Sequence, residues 1–198
     1  MKVAIVGGTG DFGLALARRL VEAGDEVVIG SRDAARAQEK ATEVGAAGGA
    51  TNEEAVRGAG LVVLATKADA TLSTATALAE AIGTTPVLSV ASDLRSTDAL
   101  SLAQRTQDLV RGPVVAGLHS LAAGKLAHGR PEEDAFVCGD DAQAKSLALE
   151  LAAKVVAGRA LDAGPLAGAR ALEGMTAVIV NLNKRYKGHA GLRVTGLP

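Results

Sequence analysis

Residues 2–24 spell a strand, a glycine turn and a helix in that order, and this leaves few folds open to the rest of the chain. Lys2-Val3-Ala4-Ile5-Val6 is a short apolar run led by β-branched residues, and it runs straight into Gly7-Gly8-Thr9-Gly10-Asp11-Phe12-Gly13. Gly8, Gly10 and Gly13 fit the spacing G-x-G-x-x-G. Phe12, Leu16 and Leu20 then recur on one helical face that closes at Gly24. A second apolar run, Glu26-Val27-Val28-Ile29, ends in Gly30-Ser31-Arg32. Only inside such a β-α-β unit does the glycine spacing point to a dinucleotide. Gly8 is expected to turn the chain out of the strand, Gly10 to let backbone N–H groups approach a pyrophosphate, and Gly13 to let the helix pack on the sheet. The helix N-terminus adds unpaired donors and a partial positive charge. The alternative is a glycine turn that serves packing alone.

The end of the second strand bears on which dinucleotide. An NAD site usually carries an Asp or Glu there for the ribose 2′-hydroxyl. This chain has Ser31 and Arg32, with Arg36 one helical turn on. A carboxylate would repel a 2′-phosphate, whereas a guanidinium grips it with two parallel charged bonds. The reading is NADP(H). Asp33 either contacts a ribose or starts the second helix.

At 198 residues the chain suits one large α/β domain or a nucleotide domain with a small appendage. Its single cysteine, Cys138, excludes an internal disulfide and fits a reducing cytoplasm as a packed thiol. A formal net charge of −1 gives no global attraction to nucleic acid or to a membrane surface. No apolar run approaches the roughly 20 residues of a spanning helix, and the N-terminus enters the nucleotide strand directly, unlike a signal peptide. Phe12, Phe136 and Tyr186 are the only aromatics, so a planar ligand must lie against aliphatic side chains and backbone. Single-stranded nucleic acid would want more stacking surfaces.

Further along, Ala34–Val44 reads as a helix, and Gly45–Ala50 as a glycine-alanine loop with room for a short strand. Thr51-Asn52-Glu53-Glu54 reads as a capped helix start. Apolar runs at Leu61–Ala65, Pro86–Val90, Pro113–Leu118 and Ala135–Cys138 read as strands, with a last one at Arg159–Asp162. Helices are expected at Ala68–Ile82, from a cap at Ser96-Thr97-Asp98 to Val110, from Asp140-Asp141 to Val156, and from Gly164-Pro165 onward. The last should bury Leu172, Met175, Ile179, Leu182 and Tyr186. The fold class is Rossmann-type α/β, a doubly wound, mostly parallel sheet with a small C-terminal α/β extension. The expected division is 1–118 for NADP and 119–198 for substrate and dimerisation.

Ligands in such sheets sit beyond the carboxyl ends of the strands. That rule selects Thr66-Lys67-Ala68, with Leu72 one turn into the following helix, then Val90-Ala91-Ser92-Asp93 and His119-Ser120-Leu121-Ala122-Ala123. His119, next to Ser120, could donate to a substrate carbonyl or buffer a proton; the plain alternative is a loop histidine satisfied by backbone. His128 and His189 read as surface residues. Lys67 reads equally as an anion contact or a solvated loop lysine. Lys184, Arg185 and Lys187 suit a helix C-terminus. No clustered Cys/His ligands suggest a metal. No Tyr-x-x-x-Lys pair is present, and Ala190 stands four residues after Tyr186. So poor an acid–base inventory suits hydride transfer between two ring cofactors, which needs alignment more than a proton donor.

Five segments carry a family resemblance: Val6-Gly7-Gly8-Thr9-Gly10 with Phe12-Gly13, Gly30-Ser31-Arg32, Leu118-His119-Ser120, Val137-Cys138-Gly139-Asp140-Asp141 and Leu161-Asp162-Ala163-Gly164-Pro165-Leu166. The chain resembles, nearly end to end, the reductases that pass a hydride between NADP(H) and the 5-deazaflavin coenzyme F-420 (F420). The resemblance implies a cytoplasmic enzyme, often a homodimer, acting between nicotinamide C4 and deazaflavin C5. It assigns Thr9, Gly10, Asp11 and Phe12 to the pyrophosphate turn and Ser31, Arg32 and Arg36 to the 2′-phosphate. His119, Ser120 and Ala123 fall in the loop facing the paired rings. The chain lacks the prolines that the family tends to carry at Thr66-Lys67, Val90–Ser92 and Ala122. It is also shorter between the Ser89 strand and Pro113. Two other functions fit the same residues: an NADPH-dependent reductase of a flavin, imine or small carbonyl, and a non-catalytic NADP-binding redox sensor.

Overall fold

The computed structural model describes residues 1–197. Strand and helix alternate as β1 (Lys2–Val6), α1 (Asp11–Glu22), β2 (Glu26–Ser31), α2 (Ala34–Val44), β3 (Gly48–Thr51), α3 (Asn52–Val56), β4 (Leu61–Leu64) and α4 (Ala68–Ile82). They continue as β5 (Val87–Ser89), α5 (Leu102–Gln107), β6 (Val114–Gly117), α6 (Ala123–His128), β7 (Ala135–Gly139), α7 (Ala142–Val155), β8 (Ala160–Asp162) and α8 (Ala169–Tyr186). All eight strands form one sheet in the order β3-β2-β1-β4-β5-β6-β7-β8. Every pairing is parallel except β6 with β7. The doubly wound, mostly parallel sheet is as expected.

The strands are apolar on both faces because helices cover both. Side chains alternate along a strand, so Val3 and Ile5 of β1, Leu61 and Val63 of β4, and Val115 of β6 share one core with α1, α2 and α7. Ala4, Val6, Val62, Leu64, Val114 and Ala116 meet α4, α5 and α8 on the other side. Helix starts follow their caps. Asp33 accepts the Arg36 N–H at 3.1 Å, which assigns it to the start of α2. Thr51 and Glu54 form a reciprocal capping box on α3. Asp141 accepts the Ala144 N–H at 2.8 Å and opens α7.

Three details differ from the sequence reading. Ser96-Thr97-Asp98 opens no helix: Asp93 accepts from Arg95 and Ser96, Ser96 from Asp98, and Asp98 from Leu100. These short side chains satisfy the local backbone in turns, which compete with helix. Helix α5 starts instead from a Ser101–Gln104 capping box. The glycine-alanine stretch does hold the short strand it left room for, β3, where a Cβ on Gly49 would come within 2.2 Å of the Ala37 backbone, so only glycine lets α2 lie this close. Helix α6 packs against α1 in a segment between β6 and β7 where no helix is expected from the sequence. A 3-10 turn at Leu166–Gly168 precedes α8, and Tyr186 is 72% exposed, outside the core it was expected to join.

Candidate nucleotide and acceptor site

The β1–α1 turn is carried by Gly7. Its φ of +75° is the left-handed conformation, so the turn expected of Gly8 is made one residue earlier. Gly8 is needed for a different reason: a Cβ there would meet the Ile5 carbonyl oxygen at 2.8 Å and Ile29 Cγ2 at 3.0 Å. Its N–H donates to the carbonyls of Ile5 and Gly30, both at 3.1 Å, tying the turn to β2. At Gly13 a Cβ would sit 2.8 Å from Gly8 Cα, so the helix seats on the turn only without one. Gly10 faces open space apart from the Gly7 carbonyl and begins α1 with no side-chain cap. The first helical donors, of Asp11, Phe12 and Gly13, therefore have no partner within the helix. A bare, side-chain-free helix start beside Thr9 is a cradle of the shape and polarity that a pyrophosphate fits. Asn52, read in the sequence only as part of a capped helix start, accepts the Gly7 N–H at 3.5 Å in space that Gly30 leaves by lacking a Cβ.

At the end of β2, Ser31 is buried and its Oγ accepts the Asp33 N–H at 3.2 Å. Arg32 and Arg36 stand exposed on either side of Asp33. Among the described residues neither guanidinium has a carboxylate partner. Two cations without a carboxylate partner suit a dianionic phosphate.

Three loops follow the ends of β4, β5 and β6. Thr66 shares a 3.0 Å hydrogen bond with Thr71 of α4, which in turn donates to the Lys67 carbonyl at 3.0 Å. Ala68 and Leu72 are half-buried in the first turns of that helix, and Lys67 is exposed. Ser92 and His119 are brought together by Thr176 of α8. The Thr176 hydroxyl donates to the His119 carbonyl at 2.8 Å, so the Ser92 hydroxyl, 2.8 Å from Thr176 Oγ1, donates to it. Thr176 gives one sequence signal, a polar residue within the apolar stripe of Leu172, Met175 and Ile179.

His119 is the buried titratable group of this site, only 5% exposed. Its Nε2 lies 3.3 Å from the Ala91 carbonyl, which can only accept, so Nε2 carries the proton. Nδ1 is buried with no partner and keeps a free lone pair. Burial pushes the imidazole down to about 4, against the weaker opposing pull of that carbonyl. The ring is neutral near pH 7, suited to accepting a hydrogen bond at Nδ1 rather than to buffering a proton. Leu118, just before it, has φ +65° and is buried, a strained backbone of the sort that collects at functional sites. Ser120 is turned onto the Asp134 carbonyl, to which its hydroxyl donates at 2.8 Å. Ala123 begins α6, half-buried.

Helix α8 reaches the same loops with two residues that the sequence reading passed over. Arg170 donates to the carbonyls of Asp93 at 3.0 Å and Ser96 at 2.7 Å. Glu173, 1% exposed, accepts from Arg170 at 2.8 Å and from the Leu102 N–H at 2.7 Å. Cys138 lies buried in the sheet, where desolvation pushes its thiol up to about 11. Among the described residues no group of His, Cys, Asp and Glu could hold a metal ion, and no helix is long and apolar enough to cross a membrane.

Residues 2–93 match the family described as NADP oxidoreductase coenzyme F420-dependent. The F420-dependent NADP reductase of Methanothermobacter marburgensis is 36% identical, over 100% of both chains. The chain belongs to this reductase family. The F420-dependent NADP reductase of Methanocaldococcus jannaschii is 32% identical, with 100% of this chain and 99% of that one aligned. Among solved structures, a candidate F420-dependent NADP-reductase from Arthrobacter sp. FB24 superposes with a TM-score of 0.86 at 25% identity, over 99% of this chain and 100% of that one. An imine reductase of Streptomyces aurantiacus shares the fold, with a TM-score of 0.71 at 24% identity over 92% of this chain and 61% of that one.

Proposed function

We propose that the chain is an oxidoreductase that moves a hydride between NADP(H) and the 5-deazaflavin coenzyme F420. The observation that carries this reading is the 36% identity to an F420-dependent NADP reductase across the full length of both chains. The nicotinamide and deazaflavin rings supply the hydride chemistry, C4 to C5, when bound. The protein binds, orients and excludes water. The Gly7–Phe12 turn, with Gly8, Thr9, Gly10 and Asp11, takes the pyrophosphate on the uncapped start of α1. Ser31, Arg32 and Arg36 take the 2′-phosphate. Thr66, Ala68, Leu72, Ser92 and Ala123 line the rings. His119, neutral and held by Ala91, offers Nδ1 as an acceptor to a ring substituent bearing N–H or O–H, and Ser120 helps hold that loop through Asp134. No residue is asked to deliver a proton to an alkoxide, consistent with the sparse acid–base inventory.

In this reading residues 1–118 carry the nucleotide, and residues 119–198 carry the acceptor and the contact with a second subunit. A cytoplasmic homodimer is part of the proposal. Leu94, Leu100 and Val178 are 46%, 45% and 53% exposed, apolar side chains on α8 and the loop it holds, and they support a second copy there. The test mixes NADPH with oxidised F420, with riboflavin and FMN as parallel acceptors. Rapid NADPH-dependent loss of the deazaflavin's visible absorbance is expected. Turnover of a flavin with none of the deazaflavin would overturn the reading, and light scattering checks the dimer.

A further inference from the structure

Residues 90–101 form neither helix nor strand, although Ala91 and Ser92 stand at the centre of the site. The turns made by Asp93, Ser96 and Asp98 fix only neighbouring backbone. Apart from the His119 ring on the Ala91 carbonyl and an Asp98–Arg105 ion pair at 3.6 Å, the distant side-chain anchors come from one helix. Arg170 takes the carbonyls of Asp93 and Ser96, Glu173 takes the N–H of Leu102, and Thr176 meets Ser92. A spacing of three sets these residues along one side of α8. Arg170 and Glu173 are joined at 2.8 Å, and the carboxylate is buried. An ion pair that buries its carboxylate is a poor source of net stability, since a well-packed apolar pair does as well. Here it supplies direction. One partner grips the entrance of the loop and the other its exit. Upstream of the grip, the Ala91 carbonyl accepts the Nε2 proton of His119.

We propose that Glu173 is a positioning residue: with Arg170 it clamps both ends of the loop after β5 and so holds the carbonyl that orients the His119 ring. The activity arm of its test rests on the deazaflavin reading; the spectroscopic arm does not.

The experiment uses full-length protein saturated with NADP, comparing wild type with Glu173→Gln and Arg170→Lys. The second variant keeps the charge and loses the fork. Three quantities are read: NADPH affinity, kcat and KM for the deazaflavin, and the nitrogen-15 and proton resonances of the His119 imidazole, assigned with His119→Gln. Both variants should keep NADPH affinity, lose kcat by about tenfold, as small misplacements of a site do, and shift or lose the Nε2 proton signal. Unchanged imidazole resonances with wild-type kcat would overturn the clamp. So would a parallel fall in kcat, NADPH affinity and melting temperature, or two variants that do not fold, because either result makes the pair merely structural. If wild type turns over no deazaflavin, the reading above falls, while the imidazole signals still decide the clamp.

Discussion

The nucleotide half and the acceptor half of this cleft are built in opposite ways. The β1–α1 turn closes on contacts near in sequence, Gly8 N–H to the Ile5 carbonyl and Gly10 N–H to the Gly7 carbonyl, and is tied outward by Gly8 N–H to the Gly30 carbonyl and Gly7 N–H to Asn52. The tightest steric demands are as local, with a Cβ on Gly13 meeting Gly8 Cα and one on Gly8 meeting the Ile5 carbonyl oxygen, both at 2.8 Å. In the acceptor half the hydrogen bonds span 84 residues from Ser92 to Thr176, 77 from Arg170 to Asp93, and 71 from Leu102 to Glu173. A turn held by glycine sterics keeps its shape in any member of a fold. Loops held from a distant helix can be re-aimed by changing that helix, so one scaffold can keep its nucleotide and vary its acceptor.

The comparison breaks first at the turn, if it is wrong. Gly13→Ala forces a methyl against backbone that has no side chain to move aside, and should cost about 3 kcal/mol or abolish folding. Calorimetry and an NADPH fluorescence titration check it; a protein as stable and as tight-binding as wild type would mean the turn is not sterically set. Next, Arg32→Ala should weaken NADPH by about 1.5–3 kcal/mol, the range for bonds to charged groups, and leave NADH nearly untouched. Michaelis constants for the two nucleotides decide it, and an equal effect on both would remove Arg32 from the 2′-phosphate.

The acceptor half is probed by acid. His119 has a folded-state value of about 4, below its ordinary 6.5, so the unfolded chain takes up the proton first as pH falls. Its contribution is whole above pH 6.5 and is lost progressively toward pH 4. At pH 5 the loss should be about 1–2 kcal/mol. Urea unfolding between pH 5 and 8 should therefore show a shallower slope for His119→Gln than for wild type; parallel slopes would place the ring in contact with water. The smallest effect is that of Thr176→Val, which cuts Ser92 off from the His119 carbonyl. About 1 kcal/mol of stability should go, the net worth of such a bond. The sharper readout is kinetic: kcat for the deazaflavin falls while NADPH affinity stays, and the reverse would put Thr176 in the nucleotide half.

Both halves were partly legible in the residues. The glycine spacing, the Arg32–Arg36 pair after β2, and the rule that loops beyond strand ends carry ligands marked the positions that the fold brings to one rim. His119 was legible as a position but not as a chemical state. Its neutrality comes from burial and from the Ala91 carbonyl, neither of which has a sequence signature. Thr176, Arg170 and Glu173 lie in a helix whose apolar spacing advertises core, and the polar residues among it become meaningful only once their distant partners are known. The missed start of α5 has the same origin in reverse: Ser96 and Asp98 look like caps, and they spend their oxygens on turns instead.

By itself, then, the order of residues determined the alternation of strand and helix, the two-sided burial of the sheet and the shape of the phosphate turn. These follow from backbone sterics, side-chain periodicity and capping, all of which act within a few residues. The tertiary structure alone decided which way Ser120 and His119 turn, which imidazole nitrogen stays free, and what holds the loop after β5. Those depend on desolvation and on hydrogen bonds between segments far apart in the chain, which exist only after the sheet has closed and α8 has docked.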